Sequence, residues 1–306
     1  MPVAPANTLE TPACNGCGET SGEVVFQRGA DLHAEEAFIA TTDAFHGYGR
    51  VVRCTRCGLV RLSPRQQWEF LRSAYAASED PLYLEELGGR VATAQALLRL
   101  AEARLPGAGR LLDIGCGPGV LLDAAKGRWQ ATGVELSAWA VKEAKRRGHE
   151  SVVEGTLSDA GFAPASFDLV TMLDVIEHLP NPRDIFTEVN RILKPGGALL
   201  VYTPDIGAPV ARLMGQWWWG LRPAHLYYFS RATLADLLKG QGFEIAVSRH
   251  AGRRFTLGYW ISRVRGYAPP LVAVAQWVAK LTRLERLPVQ LNTYDSIAML
   301  AIKKGL

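Results

Sequence analysis

The chain has 306 residues, of which 48% are hydrophobic and 21% are charged, and its formal net charge at pH 7 is +4. This composition excludes a disordered chain, and the length allows one large domain with appendages or two modest domains. The N terminus lacks the basic and apolar pattern of a signal peptide, and no apolar run is long enough to span a membrane, so we expect a cytoplasmic protein.

Two C-x-x-C-G sequences lie near the N terminus and contain Cys14 and Cys17, then Cys54 and Cys57. Two residues between thiolates let both sulfurs bind one ion, and the glycine after each pair permits a turn with positive φ. In a reducing compartment this spacing favours a metal over disulfide bonds. We predict a zinc-ribbon-like module over residues 1–62 that holds a structural zinc ion, with every coordination position filled by cysteine.

Residues 63–105 are predicted to form a helical linker or lid. Ser63 is a suitable N-cap and Pro64 suits the first helical position, so a helix is predicted to begin there. A second helix is predicted near Glu85 to Leu105, and it leads into the apolar run that follows.

That run begins a predicted strand, a glycine-rich turn and a helix, with the sequence RLLDIGCGPGV at residues 110–120. Gly115, Gly117 and Gly119 let the backbone turn sharply, so a ligand can lie against main-chain N–H groups at the positive end of the helix. A nicotinamide dinucleotide fingerprint has glycines at its first, third and sixth positions, whereas here they stand at the first, third and fifth. The spacing therefore indicates a different cofactor.

Further motifs follow in order along the chain. Glu135 ends a second predicted strand, where an acid can accept both ribose hydroxyls, and Lys194 to Gly197 form a stop-and-turn signal. With Asp113 two residues before Gly115, residues 90–250 resemble the class I S-adenosylmethionine-dependent methyltransferases. The resemblance implies an α/β fold over residues 106–306, with a Rossmann-like seven-stranded sheet that is mostly parallel and has one antiparallel edge strand. The runs FEIAVSRH and DSIAMLAIKK are the expected sixth and seventh strands, paired antiparallel.

The resemblance also implies which residues bind S-adenosylmethionine. Many relatives have aspartate directly after the glycine of the third-strand turn, where this chain has Thr156 and Leu157. The adenine contact therefore stays open among Thr156, the backbone at Leu157, and Asp159. The predicted cofactor-binding residues are Asp113, Gly115, Cys116, Gly117, Gly119, Glu135, Leu136, Thr156, Leu157 and Asp174.

Candidate catalytic residues follow the fourth and fifth predicted strands. Asp174, Glu177 and His178 stand at the carboxyl end of the fourth strand, which faces the ligand crevice in open α/β sheets. Residues 203–230 are predicted to form a long loop, which at His225 resembles the H-x-x-x-F-S segment of small-molecule methyltransferases. We predict His225 as the general base, because neutral imidazole can take a proton near neutral pH, and His178 and Asp174 as further catalytic groups. A purely structural role for these side chains stays open.

A basic and apolar insertion at residues 250–292 separates the last two predicted strands. Val274, Trp277, Val278 and Leu281 share one helical face, and from Arg249 onward ten cationic residues oppose two acidic ones, which gives a net charge of +8. Such a segment can bind an anionic membrane face, a diphosphate-bearing substrate or RNA, or it can pack on the core with a solvated basic rim. Peripheral contact with the inner membrane face is therefore one expectation.

A cysteine module before this core is similar to bacterial sugar and secondary-metabolite tailoring methyltransferases. We predict O- or C-methylation of a small-molecule acceptor, such as a sugar, a nucleotide-sugar, a polysaccharide, a lipid-linked compound or a secondary metabolite. Two alternatives stay open. One is a zinc-containing RNA base methyltransferase, which the modest net charge disfavours; the other is a non-catalytic protein that binds S-adenosylmethionine and docks a partner.

Overall fold

The computed structural model describes residues 8–29, 49–105, 107 and 109–305. The strands of its N-terminal part are β1 (Leu9–Glu10), β2 (Gly22–Arg28), β3 (Gly49–Cys54), β4 (Val60–Leu62) and β5 (Arg65–Gln66). Strands β2, β3 and β4 pair antiparallel in that order, and β1 pairs antiparallel with β5. The second cysteine pair lies in the turn between β3 and β4, so this small sheet carries the cysteine cluster.

The helix predicted to begin at Ser63 and Pro64 begins later, and that prediction is wrong. Arg65 and Gln66 are extended, because they pair with β1, and helix α1 (Trp68–Ala77) has Gln67 at its N-cap position. A 3-10 turn at Pro81–Glu86 then leads into helix α2 (Leu87–Glu102), close to the range predicted for the second helix.

The remaining elements are strands and helices, which alternate over part of this range. They are β6 (Gly109–Ile114), α3 (Val120–Ala125), β7 (Trp129–Glu135), α4 (Ala138–Arg146), β8 (Val152–Glu154), β9 (Phe167–Leu173), α5 (Pro182–Ile192), β10 (Leu193–Pro204), α6 (Pro209–Met214), β11 (Tyr227–Tyr228), α7 (Arg231–Lys239), β12 (Phe243–His250), β13 (Arg253–Thr256), α8 (Leu257–Arg263), α9 (Pro269–Leu281), β14 (Pro288–Leu291) and β15 (Ser296–Lys303).

Seven of these strands form the central sheet in the order β12-β15-β10-β9-β6-β7-β8. The predicted α/β fold is confirmed, and the last two strands pair antiparallel as expected. Strand β15 runs antiparallel to both neighbours, so the antiparallel strand lies one position in from the edge that β12 forms. All other pairs are parallel, which brings the carboxyl ends of β6, β7, β9 and β10 to one crevice.

Helices cover both faces of this sheet. Leu111 packs with Leu97 and Leu98 of α2, whereas the next residue, Leu112, packs with Phe186 of α5 on the opposite face. Successive strand side chains point to opposite faces, so a sheet covered on both sides has apolar residues at consecutive positions. Helix α2 thus covers the core sheet although it falls within the predicted linker; the division into residues 1–62, 63–105 and 106–306 stays a prediction.

The segment at residues 203–230 is not the plain loop that was predicted. It contains α6, a 3-10 turn at Gly215–Trp217, and β11, which pairs antiparallel with β4. The small sheet therefore has the order β11-β4-β3-β2 and takes its edge strand from a segment far along the chain. Two backbone hydrogen bonds extend the connection: Leu62 N donates to Leu226 O (2.9 Å), and Leu226 N donates to Glu177 O (2.8 Å).

A second contact joins the first cysteine pair to the core. Backbone N–H of Arg183, at the start of α5, donates to Asn15 Oδ1 (2.7 Å), and the Arg183 guanidinium donates to Gly16 O (2.6 Å). Both cysteine turns are thus tied to the part of the chain that follows β9. Among the described helices, none is long and apolar enough to cross a bilayer.

Candidate active site

The glycine-rich loop between β6 and α3 has the conformation that its sequence predicts. Gly115, Gly117 and Gly119 all have positive φ, at 68°, 52° and 85°. A Cβ on Gly115 would lie 2.5 Å from Val175, and one on Gly119 would lie 2.6 Å from the ring of His149, so neither position admits a side chain. Nothing lies within 4 Å of a Cβ at Gly117. The loop is therefore crowded at both ends and open in the middle, where a ligand can approach the backbone.

The carboxylate of Glu135 lies beside this loop. It accepts hydrogen bonds from Gly117 N (2.9 Å) and from Ser137 N (2.8 Å), and burial raises its pKa. Ser137 in turn caps α4 and donates to Ser78 O (2.7 Å), which follows α1. The acid after β7 is thus held in one orientation at the cavity wall.

A cavity of about 950 Å³ runs from the glycine loop to the insertion. Most of the predicted cofactor-binding residues line it, namely Gly115, Gly117, Glu135, Leu136, Thr156, Leu157 and Asp174. Asp113, Cys116 and Gly119 lie outside this lining. A buried hydrogen bond from Thr171 Oγ1 holds Asp113 (2.6 Å), burial raises the pKa of this acid to about 7, and Cys116 packs against Gly133. These three residues therefore support the loop on the side that faces away from the cavity.

The turn after β8 narrows the choice of adenine contact. Thr156 and Leu157 line the cavity, whereas Asp159 lies outside its lining. The Asp159 carboxylate accepts from Thr156 N (2.9 Å) and Thr156 Oγ1 (2.8 Å) and forms an ion pair with Arg72 (3.0 Å). Asp159 therefore shapes the turn that presents the other two residues.

Asp174 is paired with an arginine of the insertion. Arg253, in β13, donates from both Nη atoms to the Asp174 carboxylate, at 2.6 Å each. Burial opposes charge on Asp174, but the Arg253 guanidinium holds the pKa of this acid below its usual value. Sequence reasoning missed Arg253, because β9 and the insertion are far apart in the chain. Because its carboxylate is bound to Arg253, Asp174 joins the end of β9 to the insertion at the cavity wall.

The two predicted histidines lie together. The ring centroids of His178 and His225 are 4.7 Å apart in an edge-to-face arrangement. Nδ1 of His178 lies 3.0 Å from Ala224 O, and Nδ1 of His225 lies 2.9 Å from Gly220 O. A carbonyl can only accept, so the contact with Gly220 O assigns the proton of His225 to Nδ1 and leaves a lone pair on its Nε2.

Burial keeps both rings neutral. It lowers the pKa of His178 to about 4 and the pKa of His225 well below its usual value. The Tyr75 hydroxyl lies 2.8 Å from Nδ1 of His178, so α1 contributes directly to the site. Sequence analysis missed Tyr75, since nothing in α1 indicates its partner.

Glu177 completes this cluster. Its side chain is buried, it accepts from Thr203 Oγ1 (2.9 Å), and burial raises its pKa to about 8. The potential ligand atoms of Glu177, His178 and His225 all lie within 4.8 Å of one another. Two imidazole nitrogens and one carboxylate form a set that can hold a divalent cation.

The cysteine cluster forms a second, separate group. Sγ of Cys14 lies 3.5 Å from Sγ of Cys57, Sγ of Cys17 lies 3.6 Å from Sγ of Cys54, and all four sulfurs lie within 4.8 Å of one another. Tetrahedral zinc with Zn–S bonds of about 2.3 Å places its sulfurs roughly 3.8 Å apart, so the spacing fits zinc.

A buried arginine supports the same interpretation. Arg61 in β4 is 1% exposed, and its Nε and Nη1 atoms have no hydrogen-bond partner in the described part of the chain. Its Nη2 atom donates to Thr20 O (3.4 Å), three residues after Cys17, so the guanidinium lies beside the segment that carries the first cysteine pair. Four thiolates on a divalent ion carry a net negative charge, which would favour a buried cation near them.

The comparisons with known proteins agree with this geometry. Residues 83–247 match the family described as methyltransferase domain. Over 110 residues the chain is 40% identical to the ubiquinone biosynthesis O-methyltransferase of Xanthomonas campestris pv. campestris, a match that covers 34% of this chain and 46% of that protein. The protein of the same name from Idiomarina loihiensis is 39% identical over 103 residues, which cover 31% and 42%. The match thus spans less than half the length of these relatives.

Among solved structures, a methyltransferase from Archaeoglobus fulgidus that depends on S-adenosylmethionine has the same fold. It superposes with a TM-score of 0.51 at 19% identity and covers 73% of this chain and 100% of that one. The predicted enzyme class is confirmed, and with it S-adenosylmethionine as the cofactor, whereas the predicted zinc ion stays a prediction. The chain belongs to the methyltransferase domain family and is an S-adenosylmethionine-dependent methyltransferase.

Proposed function

We propose that this methyltransferase methylates a hydroxyl group on an apolar, ring-bearing acceptor of the quinone-like or lipid-linked class. The observation that carries the proposal is that one continuous cavity joins the glycine loop to the two neutral histidines and to the aromatic rings of Tyr259, Trp260 and Tyr267. A polar atom for proton transfer thus shares one space with a largely apolar lining. The relatives named ubiquinone biosynthesis O-methyltransferase support the same acceptor class.

At the cofactor end of the cavity, the chain binds and orients S-adenosylmethionine. S-adenosylmethionine, when bound, supplies an electrophilic methyl group, and the protein has to hold an acceptor atom in line with the bond that breaks. The backbone of Gly115 to Gly119 holds the methionine portion, Glu135 accepts from the ribose hydroxyls, and Thr156 and Leu157 contact the adenine.

At the acceptor end, His225 takes the proton. Its Nδ1–H is fixed by Gly220 O, so Nε2 is the free acceptor for the proton of the substrate hydroxyl. His178 is held at Nδ1 by Ala224 O and the Tyr75 hydroxyl, and its ring packs against His225. Glu177 orients this region through its backbone, because its carbonyl accepts from Leu226 N, one residue after His225.

We further propose that Cys14, Cys17, Cys54 and Cys57 hold one structural zinc ion. The sulfur spacing and the buried Arg61 support it. A zinc ion with four cysteine ligands has no position left for substrate, so its role is to fold the small sheet. Since β11 is the edge strand of that sheet and directly follows His225 and Leu226, a folded cysteine cluster also supports the catalytic histidine.

The first prediction concerns the cofactor end of the cavity. Gly115→Ala should lower the affinity for S-adenosylhomocysteine at least about tenfold, because the added Cβ meets Val175 at 2.5 Å and forces the loop to shift. Calorimetric titration measures this affinity. Gly127→Ala is the matched control, since Gly127 also has positive φ (82°) but an added Cβ meets nothing within 4 Å. Equal losses in both variants would contradict the proposed cofactor site.

The proposed acceptor class predicts where a labelled methyl group goes. With methyl-labelled S-adenosylmethionine and a cell extract, label should enter the lipid-soluble fraction, and His225→Ala should lower the rate about a hundredfold, as expected for loss of a general base. His250→Gln, outside the cavity lining, is the control and should keep the rate. Label in RNA would support the RNA methyltransferase alternative instead, and full activity of His225→Ala with intact cofactor binding would remove His225 from the mechanism.

A divalent cation at Glu177, His178 and His225 is the second candidate for the acceptor end, favoured by the convergence of their ligand atoms. A bound cation lowers the pKa of a hydroxyl that it contacts. If this candidate is correct, transfer by the zinc-loaded chain should rise on addition of Mg²⁺ or Mn²⁺ in the wild type but not in Glu177→Gln. Equal activity with and without the added cation would leave His225 as a metal-free base.

The cysteine cluster predicts a fixed zinc content. Elemental analysis of the purified chain should find about one zinc ion per molecule, and Cys54→Ser or Cys57→Ser should lose it, because each removes one of four ligands. Cys116→Ser is the matched control, since Cys116 packs beside the glycine loop, and it should keep the full zinc content. Zinc loss in Cys116→Ser, or a wild-type protein without zinc, would contradict the proposed site.

A further inference from the structure

The insertion between β12 and β15, residues 251–295, forms one unit that we call the arm. The antiparallel pair β13–β14 carries α8, α9 and a 3-10 turn at Leu284–Arg286. Thr256 at the start of α8 donates from N to the Glu86 carboxylate (3.0 Å), and Arg254 N donates to Thr93 Oγ1 (2.9 Å). A Cβ on Gly89 of α2 would lie 2.3 Å from Arg254 O, so the arm lies directly on the core.

Helix α9 presents an apolar face to solvent. Its outer face consists of Leu271, Val274, Trp277, Val278 and Leu281, which recur at helical spacing, and Leu271, Trp277 and Leu281 are 73%, 66% and 70% exposed. The opposite side packs on the protein through the buried Val272 and Ala279. Single exposed apolar residues are normal, but a continuous stripe on one helix marks an interaction surface.

The segment that contains this outer face is rich in cations. Residues 257–291 contain five cationic residues, Arg263, Arg265, Lys280, Arg283 and Arg286, and a single acid, Glu285. Their net charge of +4 equals that of the whole chain, so the rest of the protein is neutral in sum. All of these cationic residues except Arg263 are exposed.

We propose that the outer face of α9 docks on an anionic membrane surface. An apolar stripe with a basic rim matches both layers of such a surface, the acyl boundary and the negatively charged headgroups. A second copy of the chain is a poorer occupant, because pairing through this face would bring two segments with an excess of exposed cations together. The helix lies on the membrane in this arrangement and does not cross it.

The same arm borders the catalytic cavity. Tyr259, Trp260 and Arg263 of α8, and Val264 and Tyr267 just after it, line the cavity, and α9 begins two residues later. Docking through α9 would therefore place the cavity rim next to the lipid, from which a lipid-linked acceptor can enter. This step rests on the proposed acceptor class, whereas docking itself does not.

Vesicle co-sedimentation of the full chain, without cofactor or acceptor, tests the docking. Wild-type protein should bind vesicles of equal parts phosphatidylglycerol and phosphatidylcholine, bind pure phosphatidylcholine more weakly, and dissociate at high salt. Trp277→Glu and Leu281→Glu should each lower binding to the mixed vesicles about tenfold, because a carboxylate then meets the acyl boundary. Leu9→Glu is the matched control, an exposed leucine in β1 far from the arm in sequence, and should bind as the wild type does.

The proposal would be overturned if the wild-type protein did not bind anionic vesicles, or if Trp277→Glu bound them as the wild type does. So would a concentration-dependent dimer on size-exclusion chromatography that Trp277→Glu abolishes, since the face would then join two copies. A failure of the proposed function looks different: vesicle binding would persist, but no lipid fraction would receive the methyl group. If both hold, Trp277→Glu should lose activity on a vesicle-embedded acceptor and keep it on a detergent-solubilised one.

Discussion

The pairing of β11 with β4 is the constraint on which the acceptor end of this enzyme depends. Two residues of the core segment, Tyr227 and Tyr228, complete the sheet that carries the cysteine cluster. The chain then has little freedom at His225, because Leu226 is bonded on one side to Leu62 and on the other to Glu177. The small sheet thus fixes the position of His225, the side chain that we propose as the base.

The two ends of the cavity are built in different ways. The cofactor end comes from one continuous strand, loop and helix, with Glu135 added by the neighbouring strand. The acceptor end is assembled from four distant parts of the chain: Tyr75 of α1, Glu177 and His178 after β9, His225 before β11, and Arg253 of the insertion. This division suits a family in which the methyl donor is constant and the acceptor varies, because each distant segment can change without disturbing the glycine loop.

Local features of the site could be predicted from sequence, and contacts between distant segments could not. The positive φ of Gly115 follows from glycine spacing, and Ser230 caps α7 with Thr233 as a local pattern can indicate. The helix start at Ser63 was wrong because pairing with β1 overrode a good local cap. The pairing of β11, the contact of Tyr75 with His178 and the ion pair of Arg253 join residues that no periodicity relates. For the same reason the sequence indicated an apolar face on α9 but not that it points outward.

The cysteine cluster is expected to hold the acceptor end of the site in place. Hydrogen exchange with mass spectrometry, before and after zinc is removed by a chelator, tests this expectation directly. We expect faster exchange in Val60–Leu62 and Tyr227–Tyr228, with unchanged protection in Gly109–Ile114, because only the first two strands belong to the small sheet. Unchanged exchange in β4 and β11 after complete zinc removal would contradict it.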